Sequence, residues 1–514
     1  MDERGTVRLR RSLQASAGQL QIPDTFSCSY DENMRILKKI LANDDLIIYR
    51  PLTLEGQDNH RCCVVYVDGM VDSDLLHENV LTRLQDVRWQ QVPDDELLSL
   101  FVKRIISAGN VTTVAKVRPA IQALLYGNVL LVLDSADAVI QIEAKGWEKR
   151  AISEPETERV VRGPREGFIE NIVTNLAMIR RKVPNPNLKM VYREIGTRTK
   201  TKICIVYLEG VSRKELLEEL QRRLDKVQLD GILEAEYIIE LIRDAPLSPF
   251  ETLGTTERPD TAVGKLLEGR ILIVVDGSPF VITLPYLFIE YFQANKDYYE
   301  NFYYSTVNRL LRYLSFFLTT STPAIFVALT AFHQEMIPTR LLFSISAAKE
   351  GVPFPTVVEA FLMLTAFQIL REAGIRLPSP VGQAVSIVGA LVLGDAAVTA
   401  KIISAPMVIV AAVTGITSFI VPEMPGVAFL LSLFFLFAAS FLGLFGYIFA
   451  VIALTIHLAG IRSFGVNYLD SITSIRLQDL KDTAIRAPWW WMTYRPRLLT
   501  PNDKRLADPG RPKP

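Results

Sequence analysis

The sequence predicts an α/β soluble region made of two duplicated subdomains, followed by an α-helical polytopic membrane domain. Three observations lead to this fold class. Up to about residue 285 the chain mixes charged residues with short β-branched runs, whereas residues 313–461 carry long apolar stretches. A helical crossing of a bilayer needs about 20 mostly apolar residues, and this half supplies several such stretches. Within the soluble region, two sequence segments recur in the same order at an offset of about 141 residues.

These patterns divide the chain into consecutive parts. A chain of 514 residues has room for two soluble domains and a membrane domain. We expect a flexible N-terminal tail over 1–30, a cytoplasmic α/β subdomain over 31–161, a linker and second cytoplasmic α/β subdomain over 162–290, a juxtamembrane segment over 291–312, a helical transmembrane domain with four to six spans over 313–461, and a basic cytoplasmic C-terminal tail over 462–514.

The internal repeat has two matching pairs of segments. Val64–Gly69 matches Ile205–Gly210, and Ala123–Asp134 matches Lys265–Asp276. Two pairs with the same order and nearly the same offset indicate two related subdomains. The stretch Arg162–Gly167 contains Gly, Pro and basic residues, which is typical of a linker between them.

Each subdomain is predicted to run strand, helix, helix, strand. The strands are nearly continuous β-branched runs, such as Ile271–Val275, which is expected when both faces of a sheet are covered. Asp134 and Asp276 each follow the second strand at a turn. Residues 139–142 and 280–284 are then predicted to return as hairpin partners of those strands.

The soluble region offers no catalytic constellation. Four acids lie at strand ends, where turn chemistry alone favours them: Asp68, Asp134, Glu209 and Asp276. The sequence contains no phosphate-binding glycine loop, zinc-protease motif or nucleophile elbow. The four histidines and four cysteines are too scattered to predict a metal site. We therefore expect no enzymatic activity, cofactor or metal, and a role in assembly or signal reception.

Charge and cysteine usage narrow the possible partners and compartment. The formal net charge is zero, which argues against nucleic-acid binding through a broad basic field. Four scattered thiols favour a reducing compartment. The N-terminal arginines are not followed by the apolar stretch of a secretory signal, so the soluble region is expected on the cytoplasmic side.

The membrane half contains five apolar stretches. They are Leu314–Phe332 with Pro323 inside it, Phe354–Leu370, Gln383–Ile403, Pro406–Val421 and Gly426–Ile461. The third is rich in small residues that allow close helix packing. The last is too long for one crossing, and we expect it to fold as a pair of helices with a turn within residues 442–446.

The C-terminal segment suggests the orientation of the chain. Its many basic residues after the last span favour a cytoplasmic location. A cytoplasmic soluble region and a cytoplasmic tail require an even number of crossings. Trp489, Trp490 and Trp491 are predicted to anchor the chain at the membrane interface, because indole rings prefer the headgroup level. The alternative is that these rings pack against protein.

Charged residues inside spans are costly and usually face a bundle interior or a water path. Glu359, Asp395 and Lys401 are therefore candidates for an ion path or gate, although Glu359 is also compatible with a position near the interface. For Asp395 the alternative is a hydrogen bond between helices. A further group, Arg371, Glu372 and Arg376, is predicted to mark the end of a span, with a pore vestibule as the alternative.

A set of segments along the chain resembles the A subunits of GerA-type spore germination receptors. The segments are Arg162–Phe168, Thr256–Asp260, Leu266–Arg270, Val275–Phe280, Asp297–Tyr299, Phe332–His333, Met336–Pro338, Val352–Pro355, Glu359–Ala360, Arg371–Pro378, Ser386–Gly389 and Ala487–Trp489. The resemblance extends from about residue 33 to about residue 501. Leu364 and Gln368 occupy positions where the family often has acids, and Glu251 and Thr252 follow Phe250 where the family often has Pro-Gln.

The resemblance implies a function in leaving spore dormancy. It implies a multi-pass protein of the spore inner membrane that forms an oligomeric, ligand-gated ion channel. Its expected partners are a transporter-like B subunit, which is implicated in sensing nutrients, and a lipoprotein C subunit. The alternatives are the related accessory protein of the dipicolinate-release channel, a secondary transporter and a membrane-anchored enzyme. A transporter would be expected to show inverted repeats in its membrane half, and none is visible there.

Overall fold

The computed structural model describes the greater part of both halves of the chain. The described residues are 23–53, 61–86, 98, 101–102, 110–146, 154–155, 158–160, 162–376, 394–421, 423–470, 479–492, 494–495 and 499–500. Most of the predicted span 383–403 therefore lies outside the described residues, as does the predicted tail up to residue 22.

The first subdomain is a five-stranded antiparallel sheet with helices on both faces. Its elements are α1 (Tyr30–Ile40), β1 (Ile47–Thr53), β2 (Arg61–Val67), α2 (Ser73–Leu76), a π-helical turn (His77–Leu81), α3 (Thr82–Asp86), β3 (Val111–Val114), α4 (Val117–Leu125), β4 (Val129–Leu133) and β5 (Val139–Ile142). The strand order is β1-β2-β4-β5-β3. The return strand predicted over residues 139–142 is confirmed as β5.

The second subdomain repeats this order. Its elements are α5 (Ile172–Lys182), β6 (Leu188–Ile195), β7 (Thr201–Leu208), α6 (Lys214–Leu224), α7 (Ala235–Ile242), β8 (Gly254–Thr256), α8 (Pro259–Leu267), β9 (Ile271–Val275) and β10 (Val281–Leu284). The strand order is β6-β7-β9-β10-β8. Each subdomain contains an N-terminal helix and two strands beyond those predicted, and the second has three helices rather than two between β7 and β9. The additional strands β1, β3, β6 and β8 lack a strong alternating pattern.

The two sheets also share their strand register. Val65 pairs with Leu130 in the first sheet, and Val206 pairs with Leu272 in the second. The outer strands agree as well, since Ile47 pairs with Val67 and Leu188 pairs with Leu208. Each residue of the second pair lies 141 or 142 positions after its counterpart in the first, which is the offset seen in the sequence repeat.

The same local motif begins both subdomains. Ser29 caps α1 and Asn171 caps α5, each through a side chain that accepts a backbone N–H of the first turn. In the first turn of α1 the buried Asn33 side chain bonds to both the N–H and the carbonyl of Ser27. Asn175 in α5 does the same with Ile169. These amide side chains hold in place the segment that precedes each helix.

A shared core joins the subdomains. It contains one face of each sheet together with buried residues of α1, α4, α5 and α8. The opposite face of the first sheet is covered by α2 and α3, and that of the second by α6 and α7. Every residue of β4 and β9 is consequently buried, which confirms the expectation of sheets covered on both faces. The fully buried Arg180 of α5 pairs with Asp44 of the first subdomain.

Part of the predicted N-terminal tail contacts the first subdomain. Residues 23–29 are packed against the first subdomain, with Phe26 buried and its N–H donated to the carbonyl of Ala115 at 2.9 Å. Phe26 joins the core shared by the two subdomains.

The second half of the chain is helical. Its elements are α9 (Phe302–Ala331), α10 (Thr339–Lys349), α11 (Thr356–Arg376), α12 (Ala405–Ser418) and α13 (Pro425–Gly460). Of the described helices, α9 and α13 are long and apolar enough to cross a membrane by length and composition. α9 continues through Pro323 and begins inside the predicted juxtamembrane segment, earlier than the expected Leu314.

α13 reverses direction at Gly443. This residue has non-helical backbone angles, with φ at 60° and ψ at −136°. The ring centroids of Phe435 and Tyr447 lie 5.5 Å apart, whereas twelve residues of straight helix would separate them by roughly 18 Å. Residues 425–442 and 444–460 therefore form a helical hairpin, and its turn falls inside the predicted segment 442–446.

Side-chain contacts give the direction of each helix. α9 starts beside the second subdomain and ends at the hairpin turn, where Phe332 packs against Gly443. α12 runs antiparallel to α9, since Thr319 bonds to Thr417 while Val327 clusters with Met407. α11 runs parallel to α12, because Glu359 contacts Ser404 and Phe367 contacts Gly415. The start of α11 and the start of α12 thus lie at the end of the helices far from the subdomains.

Candidate coupling site between the two halves

The two halves of the molecule meet at the base of α9. Two 3₁₀ turns, Phe288–Phe292 and Asn295–Tyr298, connect β10 to α9. Their aromatic side chains join a buried cluster with residues of the loop before α13 and of both hairpin arms: Phe250, Tyr286, Phe288, Tyr291, Phe292, Val421, Met424, Leu431 and Leu458. The rings of Phe292 and Tyr313 stack with centroids 4.3 Å apart. This apolar contact fixes the position of α9 relative to the second subdomain.

Two arginines of α9 are buried in the same region. Arg309 is fully buried and Arg312 is 5% exposed. Arg312 makes a bidentate pair with Asp297, with both nitrogen–oxygen distances at 2.7 Å, and also donates to the carbonyl of Phe292 at 2.8 Å. Arg309 approaches the same Asp297 carboxylate at 3.3 Å. A spacing of three residues places both guanidinium groups on one face of the helix.

Asp482 of the C-terminal segment completes this arrangement. Arg309 donates to the Asp482 carboxylate at 2.8 Å, to the carbonyl of Asp482 at 2.6 Å and to that of Thr483 at 3.1 Å. The Tyr298 hydroxyl donates to the same carboxylate at 2.6 Å. We call Asp297, Arg309, Arg312 and Asp482 the junction cluster. It joins the turn before α9, the helix itself and a segment more than 170 residues later in the chain.

The charges of the junction cluster balance. Two guanidinium groups face two carboxylates, which offsets the cost of removing these ions from water. Burial and the neighbouring Asp482 carboxylate raise the pKa of Tyr298 well above its usual range, so its hydroxyl remains a hydrogen-bond donor. Removal of one member would leave an uncompensated buried charge. The cluster therefore favours a single arrangement of its three segments.

A second group of buried charges continues into the subdomain. The carboxylate of Glu290, in the first 3₁₀ turn, lies 3.0 Å from Arg270 and 3.2 Å from Lys265. Its other oxygen accepts the N–H of Leu287 at 2.7 Å. Lys265 belongs to α8 and Arg270 precedes β9. Ion pairs thus connect α8 and the start of β9 to the first 3₁₀ turn, which precedes the turn that contains Asp297.

The described part of the predicted basic tail is folded rather than free. After α13, a short hairpin of β11 (Arg462–Ser463) and β12 (Val466–Asn467) lies against the second subdomain. Ser463 bonds to the backbone of Tyr286 and Thr252 at 3.1 Å and 2.7 Å. Farther on, Arg495 donates to the carbonyl of Leu267 at 2.6 Å. The segment returns to the subdomain because its polar and apolar side chains find partners there.

The three tryptophans lie beside the start of α9. Trp489 and Trp491 are each 52% exposed. The Trp490 ring makes an edge contact with Phe302 at 5.9 Å between centroids, and Arg486 lies over the Trp489 ring at 4.9 Å. Each ring is thus partly packed and partly exposed, a distribution compatible with both the anchor and the protein-packing interpretation.

The predicted ion-path residues differ in burial. Glu359 is fully buried, and its carboxylate accepts the N–H of Ser404 at 2.7 Å. Asp395 and Lys401 are exposed. Lys401 has φ at 54° and its side chain reaches the backbone near Gly351. Glu359 and Lys401 are therefore associated with the same end of the helices, whereas they differ in their access to solvent.

The residues predicted at a span end belong to α11. Arg371 is half-buried and Glu372 is exposed, and Arg376 is the last residue of the helix. The helix extends six residues beyond the predicted limit at Leu370. Their place in the last turns of α11 leaves both the span-end and the vestibule interpretations as predictions.

The junction cluster could not be found from sequence reasoning. The available signal was the pair Arg309 and Arg312 close to an apolar span, together with Asp297 inside a family-like segment. Nothing local marked Asp482 as their partner. Among the described residues no group of three or more His, Cys, Asp or Glu side chains is arranged to hold a metal ion. The site can orient and couple structural elements.

Known proteins resemble this chain over nearly its whole length. The profile of the Bacillus/Clostridium GerA spore germination protein family matches residues 35–498. Spore germination protein KA of Bacillus subtilis (strain 168) is 41% identical over 96% of this chain and 91% of its own length. Spore germination protein GerLA of Bacillus cereus is 37% identical over 92% of this chain and 96% of its own length.

A solved structure also matches the first half. It is the N-terminal domain of the A subunit of the Bacillus megaterium spore germinant receptor GerK3. The two sequences are 30% identical, and the match covers 52% of this chain and 99% of that structure with a TM-score of 0.41.

Proposed function

Because the chain belongs to the Bacillus/Clostridium GerA family of spore germination proteins, we propose that it is the A subunit of a nutrient-responsive germination receptor. In this proposal it forms a homo-oligomeric, ligand-gated ion channel in the spore inner membrane. It acts with a transporter-like B subunit and a lipoprotein C subunit, and its channel opening triggers the exit from dormancy.

The junction cluster is the observation that supports a signalling role most directly. A change in the soluble subdomains can reach the membrane helices only through segments that connect the two halves. Asp297, Arg309 and Asp482 bind three such segments to one another through ion pairs with the buried Arg309 side chain. A partner that binds nutrient can bias the channel only by having unequal affinity for its closed and open states. The cluster is where such a bias would enter α9.

The helix directions support a six-pass topology. α9 and the first arm of the α13 hairpin run away from the subdomains, whereas α11, α12 and the second arm run back. The span predicted at 383–403, most of which lies outside the described residues, would supply the sixth pass between the parallel helices α11 and α12. Six passes lie within the predicted four to six. With six passes the two subdomains and the C-terminal segment would lie on the same side of the membrane, which we propose is the cytoplasmic core of the spore.

We also infer that the soluble half arose by internal duplication. The common strand order, the common register and the paired Asn33 and Asn175 motifs support this inference. A chance resemblance of two folds would not be expected to preserve both the register and the amides that fix the entry to the first helix.

Ion flux in reconstituted liposomes tests the proposed function. The full chain is compared with Asp395→Asn, each with and without a B-type partner, and with Asp137→Asn as a control at an exposed acid of the first subdomain. We expect nutrient-dependent flux for the full chain with its partner. We expect altered flux for Asp395→Asn, since a polar path loses a charge. The Asp137→Asn control is expected to conduct like wild type.

Two other outcomes would contradict this proposal. Correctly assembled oligomers that conduct no ions under any condition would contradict the channel proposal and indicate a scaffold. Flux without any requirement for nutrient or a B-type partner would favour the accessory protein of the dipicolinate-release system.

A further inference from the structure

Glu359 acts as the cap of a neighbouring helix. Its carboxylate accepts the backbone N–H of Ser404, the residue that precedes α12, at 2.7 Å. The Ser404 side chain makes no capping hydrogen bond of its own. A carboxylate at a helix N-terminus is stabilised by the partial positive charge of the unpaired N–H groups. This contact uses one of the two carboxylate oxygens.

The second oxygen faces a lysine. The Glu359 Oε1 atom lies 3.9 Å from the Lys349 Nζ atom, at the end of α10. The same ammonium group donates to the Thr356 hydroxyl. Within the described residues, Glu359 Oε1 and the Ser404 hydroxyl are buried and have no hydrogen-bond partner. Oxygen atoms of Thr356 and Glu359 thus lie against one ammonium group. The unpartnered Ser404 hydroxyl belongs to the residue whose N–H the same Glu359 carboxylate binds.

The helix that carries Lys349 is weakly attached. α10 has no buried residue, whereas Thr356, Glu359 and Ser404 are all buried in the packed helices. Segments with few buried apolar contacts open at low free-energy cost. Lys349 can therefore leave the Glu359 and Thr356 oxygens without disrupting the helices that supply them.

We propose that Lys349 is a tethered cation in a monovalent-cation site formed by Glu359, Thr356 and Ser404. One carboxylate and two hydroxyl groups match a single positive charge, whereas calcium takes six to eight oxygen ligands. With Lys349 in place, the site is blocked and the channel is closed. Displacement of α10 frees the carboxylate for a permeant monovalent cation at the end of the helices far from the subdomains.

This inference rests on the proposed channel function, and the test separates the two. The receptor complex is reconstituted in liposomes, and potassium flux is measured for wild type and Lys349→Cys in a Cys28→Ser background. The other three cysteines are buried. Arg340→Cys provides a control at an exposed position of the same helix. We expect Lys349→Cys to raise flux without nutrient on the order of tenfold, within the usual range of coupling between sites, and Arg340→Cys to resemble wild type.

Chemical modification of the Lys349→Cys variant then adds either a positive or a negative charge at position 349 in the same preparation. A methanethiosulfonate reagent with an aminoethyl group adds an ammonium group at position 349, and we expect it to return the flux to the wild-type level. The sulfonatoethyl reagent adds a negative charge and is expected not to do so. Glu359→Gln added to Lys349→Cys keeps an acceptor for the Ser404 N–H but removes the charge, and is expected to abolish the increase.

Three results would overturn the inference. The first is unchanged flux for Lys349→Cys in a complex that still responds to nutrient. The second is equal recovery with both reagents, because bulk rather than charge would then close the path. The third is an increase that persists in the Glu359→Gln variant. A wild-type complex that does not conduct at all would instead contradict the proposed channel function.

Discussion

The two α/β subdomains have the same sheet but different surroundings. In the first, β5 is followed by the linker, and the acids at its surface pair with exposed arginines such as Arg61 with Asp31. In the second, β10 leads through two 3₁₀ turns into α9, and the acids of those turns are buried against arginines. The fold is common to both, whereas the junction cluster belongs to one of them.

The difference between the two subdomains lies in the segments that follow them in the chain. The strand register is retained in both sheets, so the sheet itself does not distinguish them. The segments that follow β10 and α13 contact both the second subdomain and the base of α9, and they connect the two halves of the molecule.

The largest effect is expected for the buried acid of the junction. Asp297→Ala leaves Arg309 and Arg312 without the carboxylate that both contact. Loss of one partner of a buried ion pair costs about 3–5 kcal/mol. Asp31→Ala removes an exposed acid that also pairs with an arginine, and such exposed pairs contribute about 0–1 kcal/mol. Thermal unfolding in detergent should show a clear decrease for Asp297→Ala and a small one for Asp31→Ala.

Equal decreases in melting temperature for these two variants would contradict the expected difference between the two subdomains. A retained melting temperature for Asp297→Ala, with Arg309 still buried, would show that the cluster does not fix α9. Asp297→Asn sharpens the measurement, since it keeps the size of the side chain and removes only its charge.

An intermediate effect is expected for the repeated amide motif. Asn33→Ala and Asn175→Ala each leave a backbone N–H and a carbonyl without the side chain that binds them. Unpaired buried polar groups cost about 1–3 kcal/mol. We expect similar losses at the two positions in chemical unfolding. A loss at one position alone would contradict the structural equivalence of the subdomains. Asn33→Asp and Asn175→Asp are the matched controls, since each keeps an oxygen that can accept the backbone N–H but loses the N–H₂ donor to the carbonyl.

The smallest effect concerns thiol reactivity. Cys63 and Cys204 occupy equivalent positions in β2 and β7, and both are buried. Burial raises the pKa of Cys63 to about 11 and that of Cys204 well above its usual range. Because the thiolate is the reactive form, both should resist alkylation near pH 8 while the exposed Cys28 reacts. Mass spectrometry of the folded protein checks this, and rapid labelling of either buried thiol would show that its sheet opens.

Much of the soluble fold could be predicted from the chain. The repeat at Val64–Gly69 and Ile205–Gly210, the strands over 271–275 and 139–142 and the turns after them are local features of the sequence. The weakly patterned edge strands β3 and β8 were missed, because their residues gain strand structure from pairing with β5 and β10. The turn inside α13 was predicted from length alone and lies at Gly443.

By itself, the sequence determined the division into soluble and helical halves, the repeat and the family resemblance, because periodicity and composition are properties of neighbouring residues. Only the tertiary structure decided that Asp482 meets Arg309, that Glu359 caps α12 beside Lys349, and that the C-terminal segment folds onto the second subdomain. These contacts join residues far apart in the chain. The partner of a buried charge is determined by proximity in the folded protein, and no local sequence pattern indicates it.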